Sequence, residues 1–216
     1  MILSLLALAH AETDSNLEQH VLSVLTSSEF GSSRSRTVRW DHSPALAIIG
    51  GTPQQRQLAE DISQTLSEAI APLSIHLTDD PDAADIRLYF DRPGALREIA
   101  IEEGFTFVPG NSGLFWCWWD LRGRLTQTVI LIEDTSAANS SWMQHLMLEE
   151  MTQSLGLMND STLFPQSLFY ETTASSGTAT SLSELDVKTI ALLYGVRPGT
   201  REGRLRRVLR RRWEKL

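Results

Sequence analysis

HLMLEEMTQSLGLMND, residues 145–160, is an apolar helical run with an acidic centre, a Leu-Gly-Leu break and a polar pair behind it. On a helix, residues four apart share a face. Glu149 and Gln153 therefore point the same way, with Glu150 beside them and His145 one turn earlier. Met143, Met147 and Met151 form a separate apolar stripe. Gly156 tolerates the left-handed backbone that ends a helix and reverses the chain. The reversal predicts that Asn159 or Asp160 returns toward Glu149 and Gln153, making a cradle of polar side chains.

The flanks set this helix in an α+β chain. Residues 45–49 read as a buried strand ended by Gly50 and Gly51. Thr52 then caps a helix with Pro53 at its first position. Residues 73–77 and 84–90 read as strands around an acidic turn, with a short helix between Pro93 and Glu103. The aromatic stretch 105–120 reads as strand, loop, strand, and its Trp116, Trp118 and Trp119 suit sheet packing or the wall of a groove. Residues 127–134 form a further strand, and the central helix is entered through Asn139, Ser140 or Ser141. Another helix follows over 183–194, with Ser183 as cap and Glu184 and Asp186 in its first turn, where the helix dipole favours them.

In this order the sequence resembles the metzincin metalloproteases, most closely the matrixin branch, whose motif is HExxHxxGxxH. Glu149 stands at the first His position, Glu150 at the catalytic Glu, Gln153 at the second His, Gly156 at the Gly and Asn159 at the third His. Residues 167–170, SLFY, are similar to the Met-turn of that family, with Phe169 in place of Met. Residues 182–195, LSELDVKTIALLYG, resemble its closing helix, and ADIRLYF (84–90) one of its strands. A closer resemblance is to a bacterial exported family of unknown function that carries an EExxQxLGLxND signature. These likenesses imply a zincin-like fold: a mixed twisted sheet, an active-site-type helix and a C-terminal helix.

The donor chemistry departs from that ancestry. Catalytic zinc takes three good donors and an open water position. Glu149 supplies an oxygen, whereas Gln153 and Asn159 offer weak amide carbonyls. Such an oxygen-only set suits Ca²⁺ as readily as Zn²⁺. Asp160 adds a second carboxylate, and His145 would give a displaced site one imidazole. Glu150 would activate a metal-bound water if the chain were catalytic. The alternative is that these polar groups bond to one another and no metal is needed. Glu149 and Glu150 are poorly placed as a glycosidase pair, because neighbouring helix residues point about 100° apart. The expected function is a non-catalytic, pseudo-peptidase binding protein for a peptide or cell-envelope component, with a metal-dependent endopeptidase as the alternative.

With 216 residues, 42% hydrophobic, the chain suits one compact domain, here 37–196. Its net charge of −8 argues against nucleic acid as a partner. The single cysteine, Cys117, permits no intrachain disulfide and no Cys-based zinc site. Residues 1–11 contain a short apolar run followed by Ala9-His10-Ala11, which predicts a signal peptide, truncated at its basic start, and a periplasmic or secreted protein. The other reading of this run is the first turns of a helix continuing over 16–25, where Asn16 would be the cap. Residues 12–36 then form an N-terminal helix and linker. The tail, 197–216, carries seven Arg and one Lys against two Glu in its last sixteen residues. Its spacing predicts a basic amphipathic helix for an anionic membrane surface, an acidic partner or the chain's own acidic body.

Overall fold

The structure, a computed structural model, describes residues 2–27, 35–134, 140–172 and 177–216, with side chains from Asp14 onward. Residues 31–34 of the expected linker and Asn139, one of the three expected helix entries, lie outside the described residues. Five strands form one mixed sheet: β1 (Ala45–Gly50), β2 (His76–Leu77), β3 (Ile86–Asp91), β4 (Gly113–Trp119) and β5 (Leu125–Glu133). Their spatial order is β2-β1-β3-β5-β4, parallel throughout except for the antiparallel edge pair β4–β5. The helices are α1 (Ile2–Thr26), α2 (Pro53–Ala69), α3 (Pro93–Glu102), α4 (Ser141–Gln153), α5 (Glu184–Tyr194) and α6 (Glu202–Arg212). The α+β architecture expected from the sequence, with its mixed sheet, central helix and C-terminal helix, is the one observed.

Successive strand residues face opposite sides, so the sheet builds two cores. Ile130 and Ile132 of β5, with Phe115 and Cys117 of β4, enter the main core with α1, α2, α4 and α5. Val129 and Leu131, with Leu114, enter a smaller core under Leu96 and Ala100 of α3. Burial on both faces accounts for the unbroken apolar run of β5. Trp116 and Trp118 belong to the α3 side: Phe105 stacks on Trp116 at 5.5 Å and meets Trp118 edge-on at 6.0 Å. Cys117 is buried, and Thr128 Oγ1 donates to its sulfur at 3.3 Å.

Capping follows the local chemistry. Thr52 and Gln55 form a reciprocal capping box at α2, with Pro53 at its first position. Ser183 and Asp186 do the same at α5. Ser140 caps α4 by accepting from Met143 N at 3.1 Å.

Three expectations need correction. No strand forms over 105–108, a segment held between Gly104 and Gly110, both at positive φ, and preceding Pro109, which has no N–H for a ladder. The strand expected over 73–77 contracts to His76–Leu77. The N–H groups of Ser74 and Ile75 donate instead to the hydroxyls of Ser43 and Ser67, at 3.1 and 2.9 Å. Asn16 is not a cap but an interior residue of α1, because the Leu- and Ala-rich run before it propagates the helix.

Candidate functional site

The cleft lies between α4 and the edge strand β4, with a volume of about 260 Å³. His145, Glu149 and Gln153, one helical turn apart, line one wall together with Glu150. Residues 110–115, the start of β4 and the loop before it, line the other. Gly113 makes this approach feasible. A Cβ there would lie 2.5 Å from both Glu150 Oε1 and Leu146 Cδ1, so only glycine lets the helix carboxylate rest against the strand. The sequence signal for Gly113 was weak, since PGNSG marks a loop without marking which glycine faces the helix.

Gly156 shapes the turn that follows. Its φ is +113°, and a Cβ would sit 2.0 Å from the Val38 carbonyl oxygen. The carbonyls left open past the helix end are taken up by distant side chains. Trp40 Nε1 donates to Ser154 O at 3.2 Å, and the Tyr194 hydroxyl donates to Leu155 O at 3.0 Å. Burial raises the Tyr194 pKa well above the usual phenol range, so the hydroxyl keeps the proton it donates.

The returning residues separate in direction. Asp160 faces the cleft, where Gln153 Nε2 donates to its Oδ1 at 3.1 Å. Asn159 turns toward α1 instead: its Nδ2 donates to Ser23 Oγ at 2.8 Å and to the Asp160 carbonyl at 2.6 Å. The cleft thus brings together His145, Glu149, Glu150, Gln153 and Asp160, and Asn159 is not part of its lining. Ser23 has a role that no local pattern signals, because it lies 136 residues from its partner.

His145 is 3% exposed. Its Nδ1 lies 2.8 Å from the Ala179 carbonyl, which only accepts, so the proton sits on Nδ1. Its Nε2 faces Glu149 Oε2 at 3.4 Å.

Behind the cleft, α1 braces the returning segment a second time. His20 is fully buried and packs edge-on against Phe164 at 5.3 Å. Burial pushes its imidazole down to about 4, against a weaker upward pull from Asp186. Asp186, also fully buried, accepts from Ser167 Oγ at 2.7 Å, Leu168 N at 3.1 Å and Ser183 N at 2.8 Å. It anchors the SLFY turn, whose Phe169 is buried, to the start of α5.

The donors do not fit a catalytic metal. Gln153 presents its amide N–H to Asp160, and Asn159 is committed to Ser23. Among the described residues no three of His, Cys, Asp or Glu converge in a way that could hold a metal ion. Among the described residues four carboxylates (Glu149, Glu150, Asp160 and Glu171) and no Lys or Arg line the cleft, a field that favours a cationic ligand group.

The fold is similar to solved structures of myroilysin. One has 13% identity and a TM-score of 0.48, with the match covering 74% of this chain and 96% of that one. A second has 15% identity and a TM-score of 0.48, covering 74% of this chain and 86% of that one. No curated protein matches the chain. Residues 14–211 match the family described as "Protein of unknown function (DUF2927)". That match takes in every element from the later turns of α1 to α6, and the chain belongs to the DUF2927 family.

Proposed function

We propose that this chain is an exported, metzincin-like protein that binds its ligand without cleaving it. One observation carries this reading: the cradle closes on itself through the Gln153–Asp160 hydrogen bond, while Asn159 is drawn off to Ser23. A hydrogen-bonded side-chain pair ties α4 to the returning loop, the task a shared metal would perform in a catalytic relative. The remaining cleft, acidic and bounded by an edge strand, suits a peptide or cell-envelope component with a cationic group. Export rests on the short apolar run and Ala9-His10-Ala11. Sequencing the mature N-terminus tests it: a start at residue 12 is expected, and a retained Met1 counts against cleavage.

A metal-dependent endopeptidase is the second reading, favoured by the facing His145 and Glu149 side chains. Metal analysis of the purified protein, paired with digestion of a peptide library, separates the two. The binding reading expects substoichiometric metal and no cleavage, with unfolding unchanged by chelator. Stoichiometric metal with chelator-sensitive cleavage, abolished by Glu150→Gln, would overturn it.

A further inference from the structure

The guanidinium groups of α6 divide into two sets. Arg206 and Arg210 face α1, where Glu18 sits between them, 2.7 Å from Arg210 Nε. Arg206 also pairs with Glu202 at 2.8 Å. Arg204, Arg207 and Arg211 occupy the other side, are exposed, and form a shallow groove with Val208. At 3.6 residues per turn, these three fall within an arc of about 60°. Among the described residues no carboxylate pairs with any of them. Arg212 and Lys215 extend the exposed charge toward the end of the helix. This cationic stripe sits on a chain whose net charge is −8.

The α1–α6 pairing fixes which face of α6 is covered and which is turned outward. Asp14 and Leu17 of α1 share a groove with Leu209, Trp213 and Glu214, whereas the groove at Glu202 and Arg206 runs on along α1 to Leu22, Ser23 and Thr26. The two helices therefore run antiparallel. Among the described residues no helix is long and apolar enough to cross a membrane. A straight row of exposed cations along one helix face is instead suited to lying at an anionic membrane surface.

We propose that the outer face of α6, with Arg204, Arg207 and Arg211 at its centre, docks the protein on an anionic phospholipid surface. Headgroup phosphates engage the three guanidinium groups, and Val208 and Leu216, the latter 43% exposed, meet the interface between them. The acidic body is repelled from the same surface, so docking orients the molecule as well as retaining it. This inference is independent of whether the cleft binds or cleaves.

The test is co-sedimentation of the full chain with phosphatidylcholine vesicles, with and without phosphatidylglycerol, at low and high salt. Binding is expected to require phosphatidylglycerol and to be lost at high salt. The combined Arg204→Gln, Arg207→Gln and Arg211→Gln variant should bind about a hundredfold more weakly, at about fivefold per cation. Its thermal unfolding should match that of the parent, since all three side chains are exposed. If folding is disturbed, the salt response of the unsubstituted chain carries the same information. Failure to sediment with anionic vesicles overturns the proposal, even if the chain is retained by an acidic polypeptide such as polyglutamate. Equal binding to neutral vesicles, or a properly folded triple variant that binds undiminished, also overturns it.

Discussion

Replacing His20 with phenylalanine should flatten the loss of stability that acid causes. His20 is fully buried, neither ring nitrogen has a hydrogen-bond partner among the described residues, and its pKa is lowered from 6.5 to about 4 by burial. Above about pH 6.5 the imidazole is neutral in folded and unfolded chains alike, so its contribution is constant. Between about 6.5 and about 4 the unfolded chain takes up a proton that the folded chain refuses, and stability falls as pH falls. Below about 4 no further loss comes from this group. The whole depression corresponds to roughly 3 kcal/mol, of which about 2.5 kcal/mol is gone by about pH 4.5. Phenylalanine keeps the contact with Phe164 and removes the two nitrogens. At neutral pH the variant should lie within about 1 kcal/mol of the parent, or above it. Urea unfolding followed by tryptophan fluorescence, from neutral pH down to about 4.5, measures both chains. Carboxylates contribute to acid loss in each, so the difference between the curves isolates His20. Parallel curves would refute the reasoning, because a buried imidazole that protonates freely is not desolvated.

Three further outcomes follow from other parts of the fold. Gly156→Ala forces a Cβ into the Val38 carbonyl at an unfavourable φ and should cost more than about 2 kcal/mol by chemical denaturation. Asp186→Asn removes acceptor capacity from a site fed by Ser167, Leu168 and Ser183, and a loss of about 3 kcal/mol in urea unfolding is expected. Glu18→Gln weakens the join between α1 and α6. Hydrogen exchange should quicken in both helices while the sheet is unaffected, with a stability change of about 1 kcal/mol.

Local chemistry explains which features were readable in advance. Thr52-Pro53-Gln55 and Ser183-Asp186 specify their helix starts within four residues, and both capping boxes are present. The Met143–Met147–Met151 stripe follows from helical spacing and is buried. By contrast, residues 105–108 had the composition of a strand but found no partner ladder. Ser74 and Ile75 lost theirs to hydroxyls on other elements. For the cleft, shared helical periodicity brought Glu149, Glu150 and Gln153 into view. The direction of Asn159 depended on Ser23, which only the packing of α1 places within reach.

Order and identity of side chains along the chain were enough to specify most of the elements, the reversal at Gly156 and the weak metal donors of the central helix, because caps, periodicity and donor chemistry act over a few residues. Contacts between distant segments settled the rest. Gly113 opened room for Glu150, Ser23 drew Asn159 away while Asp160 turned to Gln153, and Glu18 divided the arginines of α6 into a paired set and an exposed one. Each of these depends on which groups are close in space, and spacing along the chain carries no record of that until the sheet and α1 bring them together.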